Sequence, residues 1–398
     1  MKVLLGITGG IAATRAADLA RLLTRQGHVV RCVLTEAGAR FITPLTLASL
    51  TGQPVAGANP DRPEWRATPV VEHIELARWA DLLCVAPATA DILGKAAHGL
   101  APDLLSTVLL AARAPVLWAP AMNTAMWEHP AVQANVARLR GFGHHFVEPA
   151  EGLLACGEEG PGKLADIEDI AETVAWLGSP RHPSFSGKRI LVTAGPTRED
   201  LDPVRTLTNR STGTMGLEVA RALRDAGAEV HLVLGGDLRA PLGLSTRRVR
   251  SAAEMLEACL ARWEDMDGCI AAAAVADQRP ESPAVQKVKK QEGPEDLRLV
   301  RTADVLGTLS ERRRPGQWLL GFAAESEDHI ANARAKLLRK GLDGILANDI
   351  TGGHGFGPTL NTLTPVLPGG PQPPLGPLPK AELARAVVQW WGGVLAQP

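Results

Sequence analysis

Short apolar runs alternate along this chain with longer segments in which apolar residues return every three to four positions. The runs predict buried strands and the longer segments predict amphipathic helices. In the first half, strands are expected over 3–7, 29–34, 82–86 and 116–119. Helices are expected there over 12–25, 74–79, 90–97, 104–110 and 130–139. The second half starts the pattern again, with strands over 189–193, 229–234, 268–273, 318–322 and 344–347. Its helices fall over 215–226, 252–261 and 326–339, with a closing helix over 380–391. Strands separated by helices imply parallel pairing, so the expected class is α/β with two parallel-sheet domains and ligands beyond the strand C-termini. Between the halves, 178–187 mixes Gly, Pro and Ser without periodicity and reads as a linker. The expected division is therefore 1–177, a linker over 178–187, and 188–398. The proline-rich tract 365–379 is expected to cross the surface before the last helix.

Each half opens on a strand that runs into a turn of Gly and Thr. The first turn is Gly6-Ile7-Thr8-Gly9-Gly10-Ile11, and the second is Thr193-Ala194-Gly195-Pro196-Thr197. Such turns let a phosphate approach bare backbone N–H groups at the positive end of a helix. Alone, the first turn lacks the full G-x-G-x-x-G spacing and leaves a dinucleotide, a mononucleotide or no ligand open. Glu36, after the second strand, could serve as the ribose-binding acid of an NAD site.

At 398 residues the chain is too long for one ordinary core and suits two domains. Lys and Arg total 42 against 43 Asp and Glu. With that near-neutral balance and no basic run interleaved with aromatics, nucleic acid is not an expected partner. Lys2 and the apolar stretch after it have the look of a secretory leader. Gly6, Gly9 and Gly10 interrupt that stretch, however, and Arg15 and Asp18 follow in helical register, so it reads as the first strand. No segment is apolar for long enough to span a bilayer, so no membrane partner is expected. Cys32, Cys84, Cys156, Cys259 and Cys269 form no C-x-x-C pair. That usage favours a reducing, cytoplasmic setting.

Four strings in the first half follow one another: His73-Ile74-Glu75-Leu76, Ala86-Pro87-Ala88-Thr89-Ala90, Pro120-Ala121-Met122-Asn123 and Ala155-Cys156-Gly157. In this order they resemble the flavin-dependent cysteine decarboxylases. The resemblance implies a flavodoxin-like fold with FMN ringed by Gly9, Gly10, Ile11, Thr35, Thr89 and Ala121. It implies His73, Asn123 and Cys156 as catalytic residues, and Arg15, Arg78, Asn123 and Met126 as substrate contacts. The implied chemistry oxidises a substrate thiol to a thioaldehyde, which provides the electron sink that loss of carbon dioxide needs, and then returns the hydride. His73 would orient and balance charge near the thiol or carboxylate. Asn123 would offer amide hydrogens to the carboxylate, and Cys156 would supply a proton. Read singly, His73 is an ordinary helix cap and Asn123 a turn former. Cys156 differs from the other cysteines because it sits in a glycine-rich acidic loop suited to a lid over substrate.

The second half carries 193–199, Leu201-Asp202-Pro203-Val204-Arg205, Asn209-Arg210-Ser211-Thr212-Gly213, the small-residue run Ala271–Asp277, Lys287 with Lys289 and Lys290, Gly321-Phe322-Ala323, and Ala347-Asn348-Asp349. These strings resemble phosphopantothenate–cysteine ligases with a Rossmann-like fold. With the first half, the whole chain resembles the bifunctional coenzyme A biosynthesis proteins of bacteria. The resemblance implies that a carboxylate attacks CTP, releases pyrophosphate and forms an acyl-cytidylate opened by cysteine's amine, with Mg²⁺ on the triphosphate. Nucleotide contacts carry over to Ala273, Ala274, Asp277, Lys287, Ala303, Asp304, Val305, Leu306, Phe322, Lys336 and Lys340. Asn209 carries over as catalytic and, with Arg205, as substrate-binding. Thr214 stands where a lysine is common, and metal ligands stay unassigned.

The expected substrates are phosphopantothenate, cysteine and phosphopantothenoylcysteine, the product of ligation feeding decarboxylation to phosphopantetheine. The resemblance also implies a homo-oligomer, trimeric through the flavin half and dimeric through the ligase half, and combining into a dodecamer. Competing readings are a two-domain NAD oxidoreductase, which has no use for Cys156, and a flavin decarboxylase of another cysteine-terminated substrate whose C-terminal half only binds nucleotide. A flavin-binding regulatory subunit is the non-enzymatic alternative, and retention of His73, Asn123 and Cys156 argues against it.

Overall fold

The computed structural model describes residues 1–57, 72–288, 297–350 and 360–397. They form two compact units, Met1–Ser179 and Pro180–Pro398. In the first, six parallel strands are β1 (Lys2–Ile7), β2 (Val29–Leu34), β3 (Val55–Gly57), β4 (Leu82–Ala88), β5 (Val116–Pro120) and β6 (His145–Phe146). Their order is β3-β2-β1-β4-β5-β6. Without the three-residue edge strand β3, this is the 2-1-3-4-5 order of a flavodoxin-like sheet. The helices are α1 (Ala16–Arg25), α2 (Glu36–Ala39), α3 (Pro44–Thr51), α4 (Glu72–Trp79), α5 (Ala90–His98), α6 (Leu104–Ala111), α7 (Thr124–Glu128), α8 (Pro130–Gly141) and α9 (Ile167–Leu177). Alternate residues of β1 enter opposite cores. Val3, Leu5 and Ile7 pack with Leu19 of α1 and Ile170 of α9, while Leu4 packs with Leu93 of α5 and Val108 of α6. Burial on both faces is why β1 beyond Lys2, β4 and β5 read as unbroken apolar runs, while β2 admits Arg31. An antiparallel hairpin of β7 (Ala150–Leu153) and β8 (Glu159–Lys163) completes the unit.

The second unit repeats the plan with β9 (Arg189–Ala194), β10 (Arg198–Asp200), β11 (Thr206–Thr208), β12 (Glu229–Gly235), β13 (Ser245–Val249), β14 (Gly268–Ala271), β15 (Gln278–Pro280) and β16 (Leu299–Arg301). It continues with β17 (Trp318–Glu325), β18 (Gly344–Asp349), β19 (Asn361–Leu367), β20 (Gly370–Pro371) and β21 (Leu375–Leu378). The main sheet runs β13-β12-β9-β14-β17-β18-β19-β20, parallel through β18 and antiparallel beyond. Its first six strands have the 3-2-1-4-5-6 order of a Rossmann-like sheet. Helices α10 (Thr214–Asp225) and α14 (Lys380–Leu395) cover one face; α11 (Ala252–Trp263), α12 (Val305–Glu311) and α13 (His329–Lys340) cover the other.

Three local expectations need correction. The first helix does not begin at Ala12 as an α-helix: a 3-10 turn, Ile11–Arg15, precedes α1. The tract 365–379 does lie mostly at the surface, but it is not irregular: it ends β19, where Val366 is fully buried, and builds β20 and β21. A proline lacks the N–H but keeps a carbonyl acceptor, and Pro365 O takes a hydrogen bond from Gln372 N at 2.8 Å. The stretch 178–187 docks at its far end, where Phe185 is fully buried between His182 and Trp318.

Candidate active sites

All strands of the first sheet point the same way, so the loops after β1, β2, β4 and β5 share one rim. Hydrogen bonds join them. Thr8 Oγ1 donates to Pro87 O at 2.7 Å and accepts from Thr89 N at 3.2 Å. Thr35 Oγ1 donates to Ile7 O at 3.2 Å, and Ala121 N donates to Ala88 O at 3.1 Å. Thr35 and Thr89 also cap α2 and α5. Gly9 allows the turn to lie against α2: a Cβ there would sit 2.5 Å from Ala37 Cβ. Gly10 precedes the 3-10 turn without a side-chain cap, and Ile11 beyond it is exposed. The first amides of such a turn have no partner within it, which suits the rim to the phosphate end of a flavin mononucleotide.

Asn123 and Cys156 meet. Asn123 caps α7, its Oδ1 accepting from Ala125 N at 2.8 Å. That commits the amide oxygen to the helix and turns Nδ2 toward the hairpin, where it lies 3.4 Å from Cys156 Sγ and donates to Glu158 Oε2 at 2.6 Å. Cys156 is exposed in the turn between β7 and β8, and Gly157 N donates to Leu154 O at 2.9 Å to tighten that turn. The other four cysteines are buried. Burial pushes the thiols of Cys32, Cys84 and Cys259 up to about 12 and that of Cys269 well above its ordinary value. Such thiols pack as small apolar groups. The hairpin base is held by Met122 N donating to Gly162 O at 2.9 Å. Gly162 has φ +135°, and a Cβ there would lie 2.3 Å from Met122 O.

His73 lies on the first turn of α4, half-buried, and no hydrogen bond joins it to Asn123 or Cys156. Arg78 is exposed on the last turn of the same helix. Arg15 is exposed, 3.4 Å from Asp18, and Met126 is exposed on α7. Glu158 was missed by sequence reading, although it stands two residues beyond Cys156.

In the second unit the turn after β9 is closed by glycine contacts. Gly195 has φ +80°, and a Cβ there would lie 2.0 Å from Gly235 O. Gly213, at the start of α10, comes so close to Gly195 that its Cβ would lie 2.8 Å from Gly195 Cα. Gly213 as the N-cap supplies no side chain, and two hydroxyls stand in for one at the start of α10: Ser211 Oγ accepts from Gly213 N at 3.2 Å and Thr212 Oγ1 from Thr214 N at 3.4 Å. Asn209 Nδ2 donates to Val275 O at 3.0 Å and to Ala274 O at 3.3 Å. Ala274 N in turn donates to Gly195 O at 3.0 Å, and Ala273 N donates to Thr193 Oγ1 at 3.3 Å.

Arg205 is exposed, with Nε donating to Asp202 Oδ2 at 2.9 Å and Nη2 to Val288 O at 3.0 Å. The Arg205 guanidinium, helped by the backbone N–H groups of Val204, Arg205 and Val288, holds the buried Asp202 carboxyl well below its ordinary range. Lys336 Nζ is half-buried and donates to Phe322 O at 3.3 Å. Burial lowers its pKa, Lys340 adds to that, and Glu325, Asp277 and Asp304 oppose it. Lys340 Nζ pairs with Asp304 Oδ1 at 2.6 Å. Burial of Asp304 favours its neutral form, but Lys340 and the Gly307 N–H outweigh it and lower the pKa.

The remaining predicted residues are placed less favourably. Val305 and Leu306 are buried in the core, so only their backbone is available to a nucleotide, while Ala303 is exposed. Asp277 and Lys287 are exposed and not hydrogen-bonded through their side chains to another predicted residue. Lys289 and Lys290 lie outside the described residues. Among the described residues, no three His, Cys, Asp or Glu side chains cluster as a metal site. Nor is any helix among them long and apolar enough to cross a membrane.

Two family models match the chain: a flavoprotein model over residues 1–177 and the C-terminal domain of the DNA/pantothenate metabolism flavoproteins over 185–392. The chain is similar to the coenzyme A biosynthesis bifunctional protein CoaBC of Bacillus subtilis (strain 168), at 43% identity over 391 residues, 97% of this chain and 95% of that protein. A crystal structure of the C-terminal domain of a CoaBC is 39% identical, covering 53% of this chain and 97% of its own, with a TM-score of 0.46. A crystal structure of the FMN-dependent cysteine decarboxylase SpaF is 34% identical, covering 45% of this chain and 98% of its own, with a TM-score of 0.39.

Proposed function

This chain belongs to the family of bifunctional coenzyme A biosynthesis proteins, and we propose that it performs two consecutive steps. Residues 188–398 ligate phosphopantothenate with cysteine, using CTP through an acyl-cytidylate. Residues 1–177 then decarboxylate phosphopantothenoylcysteine to phosphopantetheine. The observation that carries the reading is the meeting of Asn123 Nδ2 with the exposed Cys156 Sγ, 3.4 Å apart in the flavoprotein half.

In the decarboxylase, the glycine turn and the rim of Thr35, Thr89 and Ala121 hold FMN. When bound, it supplies reversible two-electron oxidation of the substrate thiol. Asn123 Nδ2 binds the departing carboxylate, its amide oxygen held by the α7 N-terminus so that the donor faces the Cys156 hairpin. Cys156 Sγ delivers the proton to carbon after carbon dioxide has left. His73 balances charge at the thiol, and Arg15, Arg78 and Met126 contact the remainder of the substrate.

In the ligase, the α10 amides and the Gly195 turn receive phosphate, and Lys336, Lys340, Asp277 and Lys287 contact the nucleotide. The backbone at Ala273, Ala274 and 303–306, with Phe322, borders the same nucleotide. Arg205 and Asn209 hold the acyl-cytidylate; Arg205 can do so only by sharing its guanidinium with Asp202. Mg²⁺ arrives on the CTP triphosphate. We extend the proposal to a cytoplasmic homo-oligomer with trimeric flavin contacts and dimeric ligase contacts, which native mass spectrometry measures.

The decisive assay supplies phosphopantothenate, cysteine, CTP and Mg²⁺ and measures pyrophosphate and carbon dioxide separately. Both are expected, with bound FMN in the purified protein. Carbon dioxide from supplied phosphopantothenoylcysteine without CTP-dependent pyrophosphate would favour a decarboxylase joined to a non-catalytic module. Bound dinucleotide in place of FMN would favour the oxidoreductase.

A further inference from the structure

The hydrogen bond from Asn123 Nδ2 to Glu158 Oε2, at 2.6 Å, is the shorter of the two contacts made by that amide nitrogen. It puts a carboxylate of the chain itself on the donor that, in the decarboxylase reading, receives the carboxylate of substrate. Glu158 makes no ion pair with a described residue. The cap favours this arrangement of Asn123, because Oδ1 accepts from Ala125 N. Its two amide hydrogens are thus directed at Cys156 Sγ and at Glu158. Glu158 is exposed, so water screens it, but one amide hydrogen cannot serve two carboxylates at once and a second carboxylate at hydrogen-bond separation is still repelled.

We propose that Glu158 is a placeholder for the substrate carboxylate, so that binding of a carboxylate-bearing substrate must displace it, whereas a product that has lost its carboxylate leaves it in place. The inference rests on the decarboxylase reading of this site. Glu158 and Cys156 belong to the same tight turn, Leu154 N donating to Glu158 O at 2.8 Å and Gly157 N to Leu154 O at 2.9 Å. Those bonds are made by the main chain, so the side chain of Glu158 can leave Asn123 while the turn that carries the Cys156 thiol keeps its form. The base of the hairpin stays docked through Met122 and Gly162. When carbon dioxide departs, the Asn123 donor is left unpaired and Glu158 returns to it. Glu158 is a specificity residue in this account and takes no part in bond making.

Glu158→Gln and Glu158→Ala in the full-length, FMN-loaded protein test the idea, with supplied phosphopantothenoylcysteine as substrate and phosphopantetheine as inhibitor. Replacing a charged competitor by a neutral one, or by none, is expected to lower KM for the substrate about three- to tenfold in both variants. The inhibition constant of phosphopantetheine is expected to stay within about twofold of wild type. A residue that merely braced the hairpin would instead move KM and the inhibition constant together. An unchanged or raised KM, or a joint shift of both constants, overturns the placeholder. No carbon dioxide from the wild-type protein overturns the decarboxylase reading, and the placeholder falls with it; carbon dioxide without the KM decrease overturns the placeholder alone.

Discussion

In the first unit the helical turn follows the glycine turn directly, Gly10 leading into Ile11–Arg15. In the second, the chain leaves after Gly195, builds β10 and β11, and returns at Gly213 to start α10. Both arrangements place a helix start beyond the first strand of a parallel sheet, uncapped in the first unit and met by the Ser211 and Thr212 hydroxyls in the second. The first does so by sequence adjacency, while the second depends on backbone contact between two distant glycines. The excursion carries Arg205 and Asn209, residues that a direct turn has no room to supply. A turn closed by tertiary contact is more vulnerable than one closed by local chain geometry, and each half can be perturbed separately.

Gly195→Val tests that vulnerability with the largest expected effect. The side chain would need φ +80° and a Cβ position 2.0 Å from Gly235 O. Strain and overlap together cost about 2–6 kcal/mol. Pyrophosphate release is expected to disappear while decarboxylation of supplied substrate continues; retention of ligase activity would break the comparison. Gly9→Val makes the matching change in the first unit. Its obstacle is Ala37 Cβ at 2.5 Å, with no positive φ to strain. A cost of about 1–3 kcal/mol is expected. The purified variant is expected to hold less flavin, read by absorbance, with ligase activity intact.

Arg205→Ala probes the excursion through pH. Asp202 has its folded-state pKa depressed below the unfolded value of about 3.9, chiefly by Arg205. The stability it contributes is therefore fully present above about pH 4 and is lost as pH falls through the lower folded value. The variant is expected to melt below wild type at pH 7, with the gap narrowing in melts taken below pH 4. A gap independent of pH would mean that Arg205 acts through packing alone. Arg15→Ala is expected to have the smallest effect on stability. Its pair with Asp18 is exposed, and such pairs contribute roughly 0.2–1 kcal/mol. Melting should scarcely move while KM for the decarboxylase substrate rises; an unchanged KM would reduce Arg15 to a surface ion pair.

The strands at 3–7 and 82–86 were legible because a strand buried on both faces is apolar throughout, and those at 29–34 and 189–193 because their apolar residues outnumber Arg31, Arg189 and Thr193. The helices were legible wherever a single apolar stripe met one sheet face. The small antiparallel pieces were not. The β7–β8 hairpin has glycine where strand propensity asks for branched residues, because Gly162 must lie against Met122 O. Pro365 concealed a strand for the related reason that propensity registers the missing donor and ignores the carbonyl still used. Among the candidate site residues, Cys156 stood out by its glycine-rich surroundings, since thiols that only fill space sit on apolar elements, as the other four do.

The sequence by itself determined the class of fold, the two parallel sheets and the strand-end loops in which the polar candidates gather, because periodicity and glycine spacing are local properties of a chain. Only the tertiary structure decided which of those residues meet. Asn123 faces Cys156 and Glu158 because one helix cap orients its amide, and Gly213 reaches Gly195 because neither has a side chain to prevent it. Contacts between segments far apart in the chain follow from the angle and packing of whole elements, and no short stretch of sequence encodes those.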